Sequence, residues 1–227
     1  MDYHCSDIGQ TARRLGVDIQ RGLTRSQAKR RLEDNGENRL KEKKNGNIVL
    51  KFLSQLSDPM VITLIIAAVV SFFTAYAEEN GSYIDPIIIV GIVIVNAVVG
   101  VIQEAKAEHA IEKLKELSAP DATVFRDGKP TKIPATQVVT GDIILLTAGD
   151  RVPADARLIE SVEINCDESA LTGEALPAGK NAFAKLTQET PVAERKNCVF
   201  ASTTVLTGHG KAIVTATGMD TQIGKIA

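Results

Sequence analysis

Several things are scarce in this 227-residue sequence. Net charge is scarce: the formal value is −2, so no global bias draws the chain toward nucleic acid. Cysteine is scarce: the 3 present, Cys5, Cys166 and Cys198, are an odd number with no Cys-x-x-Cys spacing. That removes the usual sequence sign of a soft-metal site and fits a reducing compartment, with all of them as packing or surface residues. There is no P-loop, no internal repeat and no low-complexity tract. The N-terminus carries no early apolar run, which argues against a signal peptide.

Charge is also missing locally, and there the absence is informative. Pro59 to Ala77 ("PMVITLIIAAVVSFFTAYA") and Pro86 to Gln103 ("PIIIVGIVIVNAVVGVIQ") hold no charged side chain. Each approaches the roughly 20 apolar residues that cross a bilayer as a helix. The alternative, a pair of buried core helices, is disfavoured because so small a soluble domain would struggle to cover both. They form a hairpin through "EENGSYID", a connection with only acidic charge. Lys and Arg residues crowd the flanks, from Lys29 to Lys51 before the first run and at Lys106, Lys113 and Lys115 after the second. The positive-inside rule puts both flanks on the cytoplasmic side. Helical spacing continues past the second run, so one helix from Ile84 to Leu117 would be about 50 Å long and leave the bilayer as a stalk. Ile48 to Ser57 is amphipathic and suits the membrane surface, and Asp58-Pro59 marks a helix start.

The remainder reads as soluble structure. Thr24 and Gln27 have capping-box spacing, and Gly36 is a helix terminator. A small N-terminal helical cap follows from that. From Asp121 onward, short strands alternate with turns. Asp127-Gly128 is a hairpin signal, Gly149-Asp150 a turn, and Gly208-His209-Gly210 is expected to separate the last two strands, with His209 exposed. The fold class is therefore α+β: a two-helix transmembrane hairpin with a long stalk, an antiparallel β domain of sandwich or barrel type, and the helical cap. The expected divisions are 1–47, 48–117 and 118–227.

One stretch, "CDESALTGEALPAGK" from Cys166 to Lys180, is dense in carboxylates. Taken alone, Thr172-Gly173-Glu174 reads first as a tight turn ending in a surface acid, with a catalytic carboxylate as the alternative. The wider pattern changes that order. "GLTRSQAKRRLEDNGENRL", "NAVVGVIQEAKAEHAIEKLKEL", "GDIILLTAGDRVPADARLIE", "DESALTGE" and "TGMDTQIGKIA" together resemble the first membrane hairpin and actuator region of P-type cation-transporting ATPases. The resemblance runs from about Leu15 to the end. Its specificity lies in "VPAD" followed at the right distance by "DESALTGE", after a membrane hairpin and a stalk. The lack of an earlier membrane helix and of an N-terminal Cys-x-x-Cys module, with a short basic N-terminus and "DPM" at the first span, is similar to the calcium-pump branch and its bacterial members.

The resemblance implies a distorted jelly-roll for the β domain and a catalytic role for its loop. Glu174 would position the water that attacks an aspartyl phosphate and accept its proton, while Thr172 and Gly173 shape the loop and let its backbone approach the phosphoryl group. Asp167 and Glu168 would orient the loop or meet a basic patch on a partner domain. Two departures stand out: Ala175 where relatives often carry serine, and Ala201-Ser202-Thr203 where they often carry a Gly-Thr pair. No Asp-Lys-Thr-Gly phosphorylation motif and no Pro-Glu-Gly-Leu-Pro ion-site segment occur. The expectation is thus the N-terminal part of an ATP-driven pump, inactive alone, with no cofactor or metal of its own. ATP and Mg2+ would serve the full-length pump. Its partners would be the phosphorylation and nucleotide domains, the remaining membrane helices, the lipid bilayer and the transported cation, with no nucleic acid. Ca2+ is the favoured cargo, with Mg2+, H+ and Na+ open. A standalone membrane-anchored scaffold or regulator is the alternative from another class. The expected location is integral to the membrane (the plasma membrane in a bacterium), with the N-terminus and β domain cytoplasmic.

Overall fold

The computed structural model describes residues 3–40, 48–77, 83–117 and 120–227. The chain forms two compact units, Met1–Glu42 with Ala119–Ala227, and Lys43–Ser118.

In the first unit, helices α1 (Ile8–Leu15) and α2 (Arg25–Asn35) begin on side-chain caps. Asp7 accepts from the Gly9 N–H. The capping box forms as expected: Gln27 N–H donates to Thr24 Oγ1 at 3.2 Å, and the Thr24 N–H donates to Gln27 Oε1 at 2.9 Å. Arg31, on α2, reaches back across this unit. Its guanidinium donates to the Leu15 and Thr140 carbonyls at 2.6 and 2.7 Å, tying α1, α2 and the approach to the sheet together. Beneath it Ala12, Leu23 and Ala28 pack with Val139, Ile143 and Ile213, so the helical cap is sealed onto the sheet by apolar burial.

The sheet has 7 strands: β1 (Asp121–Arg126), β2 (Lys129–Pro134), β3 (Ile143–Thr147), β4 (Asp155–Asp167), β5 (Ala178–Gly179), β6 (Cys198–Val199) and β7 (Thr204–Ala216). All pairings between them are antiparallel, in the order β2-β1-β3-β7-β4-β5, with β6 on β4. The α+β class is as expected. The β1–β2 turn has Asp127 at φ 51° and Gly128 at φ 73°, the positive pair that a two-residue hairpin of matching twist requires. Asp142, just before β3, is fully buried and takes both ends of the Arg126 fork at 2.8 and 2.6 Å.

One expected turn is absent. Gly208-His209-Gly210 does not separate two strands; β7 runs straight through it for 13 residues. The glycine serves a bulge instead. Gly208 has φ 73°, and a Cβ there would lie 2.2 Å from the Val162 carbonyl oxygen. Glu163 opposite is itself at φ 47°, and the β4–β7 register shifts between Val162 and Asn165. Close backbone approach at a bulge demands the same Gly that a turn would. His209 is exposed on the strand.

The second unit holds α3 (Ile48–Gln55), α4 (Pro59–Ala77) and α5 (Ile84–Leu117). Both α4 and the Ile84–Ile111 part of α5 are long and apolar enough to cross a membrane, with mean hydropathies of 2.3 and 2.5. The two helices pack together, and the buried residues on them include Val61, Ala68 and Ala75 of α4 and Val93 and Ala97 of α5, mostly small side chains that let backbones approach. The outward faces stay apolar: Ile66, Phe73, Ile87 and Val95 are exposed. Gln55 Nε2 donates to Glu104 Oε2 at 3.3 Å, so α3 rests on α5 where Gly100 leaves room for it. At 34 residues, α5 is about 51 Å of unbroken helix. Most of the connection between α4 and α5, residues 78–82, lies outside the described residues.

Candidate functional site

β4 ends at Asp167, and the chain then folds into a single helical turn, α6 (Ser169–Thr172). Asp167 starts it by accepting from the Ser169 N–H at 3.0 Å. Hydrogen bonds from the Ser169 hydroxyl and backbone hold this carboxyl below the usual carboxylate range. The Glu168 carbonyl accepts from the Leu171 and Thr172 N–H groups, both at 2.9 Å, and from Thr172 Oγ1 at 3.1 Å. Gly173 ends the turn in the left-handed region at φ 76°, donating to the Ser169 carbonyl at 2.9 Å. Nothing lies within 4 Å of the place a Cβ would take there. The backbone conformation therefore explains the glycine within this unit, and its open side leaves a free approach.

Glu174 follows, exposed, with its N–H donating to Thr172 Oγ1 at 3.2 Å. In the expected trio, Thr172 caps the Glu174 N–H, Gly173 turns the chain, and Glu174 is exposed. Ala175, Leu176 and Pro177 are exposed as well, Leu176 at 82 %. The loop then rejoins the sheet through β5, where Ala178 pairs with Cys166 and Gly179 with Asn165.

Glu168 does not face solvent or a partner surface. Its side chain is 2 % exposed and pairs at 2.5 Å with Lys180, whose side chain is 1 % exposed. Neither Glu168 oxygen nor Lys180 Nζ has any further hydrogen-bond partner. Burial raises the Glu168 carboxyl above its ordinary range, with Lys180 opposing. Lys180 Nζ also stands 5.2 Å from the centre of the Phe200 ring, within cation–π reach. Sequence alone misses this pair, since a motif acid and a lysine beyond a proline carry no mark of shared burial.

Two other charged residues, Asp155 and Arg157, are buried at the start of β4. Asp155 Oδ1 accepts from Ala201 N–H at 2.9 Å and Oδ2 from Gln222 N–H at 2.7 Å, and burial raises its carboxyl. Arg157, whose guanidinium burial pushes down, donates to the Leu158 and Ala182 carbonyls at 2.6 and 2.8 Å. Cys166 and Cys198 are buried thiols, both pushed up to about 11, mainly by burial. Within Ala201-Ser202-Thr203, Ser202 sits at φ 69°, a left-handed backbone position.

Among the described residues, no cluster of three or more His, Cys, Asp or Glu side chains is arranged to hold a metal ion. An open hollow of about 530 Å³, lined by residues such as Arg13, Arg21, Gln27 and Asp127, lies at the N-terminal helices and involves no residue of the Glu174 loop. The loop between β4 and β5 thus presents the exposed Glu174 on a turn held at both ends by the sheet.

Comparisons with known proteins give the family. Residues 116–227 match the P-type ATPase actuator domain, and residues 3–71 match the cation transporter/ATPase N-terminus. Calcium-transporting ATPase 1 of Bacillus cereus is 42 % identical over 230 residues, covering 100 % of this chain and 25 % of that protein. The calcium-transporting ATPase of Bacillus subtilis is 38 % identical over 229 residues, with the same coverage of each chain. A sodium/potassium exporting P-type ATPase, cta3, of Schizosaccharomyces pombe is 40 % identical over 224 residues, covering 98 % of this chain and 21 % of that protein. The chain spans about a quarter of the length of these curated relatives. With its actuator-type β domain, its N-terminal helices and its apolar helix pair, the chain belongs to the P-type ATPase family, as the N-terminal region and actuator domain of a cation-transporting member.

Proposed function

We propose that this chain serves an ATP-driven cation pump by hydrolysing its aspartyl phosphate and passing the accompanying movement to the membrane helices. Glu174 is the general base. Its carboxylate orients a water beside the phosphoryl group of a phosphorylated aspartate and takes the proton as the oxygen attacks phosphorus. The aspartate regains its carboxylate and inorganic phosphate leaves. Thr172 holds the Glu174 backbone, and Gly173 keeps the approach side clear. The observation that carries this reading is the exposed Glu174 carboxylate at the tip of a loop anchored at both ends, on an actuator-type domain.

In this reading the phosphorylation and nucleotide domains of the same pump supply the aspartate, ATP and Mg2+. The basic residues flanking the apolar pair favour a cytoplasmic N-terminus and actuator, with the hairpin in the bilayer. Long α5 would act as the stalk between them. Ca2+ is the proposed cargo, supported by the names of the Bacillus relatives. Na+ or K+ is a second reading, because a sodium/potassium exporting relative is about as similar. The test is ATP turnover by the intact pump in membranes, with Ca2+, Na+, K+ or Mg2+ varied singly. Ca2+-stimulated turnover that falls in Glu174→Gln is expected. Stimulation by Na+ or K+ alone would move the cargo to the second reading.

A further inference from the structure

We propose that the buried Glu168–Lys180 ion pair is a positioning element for phosphoenzyme hydrolysis, fixing where the Glu174 carboxylate stands. The proposal rests on the reading of Glu174 as general base. From Asp167 to Lys180, the only buried residues are Glu168 and Lys180. Apolar packing therefore does little to hold this loop, and the charge pair is its one interior anchor. The connection to Glu174 is short. Lys180 holds the Glu168 side chain, the Glu168 carbonyl accepts from Thr172 Oγ1, and Thr172 Oγ1 accepts from the Glu174 N–H. At the other end the Lys180 N–H donates to the Ile164 carbonyl at 2.9 Å, and its Nζ faces Phe200, so the anchor is fixed to β4 and to the segment before β7.

Energetics separate this role from plain stabilisation. A buried ion pair is often no more stabilising than apolar side chains of similar volume, because desolvation offsets the attraction. Its distinguishing property is that an acid and a base buried together, with no other hydrogen-bond partner, must stay side by side. A general base must hold its water within hydrogen-bond reach, and a misplacement of about 1 Å costs up to about a hundredfold in rate.

The test uses the intact pump in membranes, phosphorylated with radiolabelled ATP and Mg2+ and then chased with unlabelled ATP. Lys180→Met and Glu168→Gln are each expected to form phosphoenzyme with an unchanged ATP requirement, and to lose it about tenfold more slowly. Combined with Glu174→Gln, Lys180→Met is expected to slow decay no further, because it acts through Glu174. Should a single variant accumulate too little protein, the Glu168→Gln/Lys180→Met double, which leaves no charge unpaired, is read the same way. Wild-type decay in Lys180→Met, with slow decay in Glu174→Gln, would overturn the positioning role and leave the base intact. The full extra slowing on top of Glu174→Gln would also overturn it. Wild-type decay in Glu174→Gln would remove both.

Discussion

The hydroxyl oxygen of Thr172 accepts the backbone N–H of Glu174 at 3.2 Å, while its hydrogen goes to the Glu168 carbonyl at 3.1 Å. The bond spans the left-handed Gly173, so the hydroxyl sets how the chain leaves the turn. Thr172→Ser keeps the hydroxyl, and in the intact pump its phosphoenzyme should decay within about twofold of wild type. Thr172→Ala loses both bonds, worth about 1 kcal/mol each, and its phosphoenzyme should decay about tenfold more slowly. Equal decay in the two variants would show that the hydroxyl does not set the loop.

Ser202 offers a stability prediction. Its φ of 69° is strained for a residue with a Cβ. Ser202→Gly should raise the unfolding free energy of the chain in detergent by about 1 kcal/mol, less what glycine loses by loosening the unfolded chain. Denaturant titration checks it. A decrease in stability would mean that the serine side chain contributes more than its backbone strain removes.

Asp155 gives a pH prediction. Burial raises its folded-state carboxyl above the ordinary 3.8. Between that value and the raised one, the folded state binds more protons than the unfolded state. Stability contributed by this group is therefore full below 3.8 and lost as pH rises through the raised value. Glu168 is shifted in the same direction, so the comparison must isolate Asp155. The unfolding free energy of Asp155→Asn minus that of wild type should become more positive as pH climbs from 3.8. A difference that is flat or falling with pH would contradict the burial effect.

Much of the architecture was legible in the sequence because its signals are local. Pro59–Ala77 and the run after Ile84 show as helices through the absence of charge. Thr24 with Gln27, and Asp127 with Gly128, carry their caps and turns within a few residues. What failed or stayed hidden depends on distant parts of the chain. Gly208 looks like a turn glycine until Val162 and Glu163 are seen pressed against it across the sheet. Arg31 looks like a surface helix arginine until Leu15 and Thr140 present their carbonyls. The candidate site divides the same way. Thr172, Gly173 and Glu174 are visible as a motif, whereas the Glu168–Lys180 anchor appears only when β5 brings the loop back onto β4.

The central claim is that Glu174 delivers water to an aspartyl phosphate, and the decay rate of preformed phosphoenzyme tests it most directly. Wild-type and Glu174→Gln pumps are phosphorylated to the same level and the chase is followed in time. A base contributes about a hundredfold or more, so Glu174→Gln should accumulate phosphoenzyme and lose it at least about a hundredfold more slowly. Decay of Glu174→Gln phosphoenzyme at the wild-type rate would contradict the account.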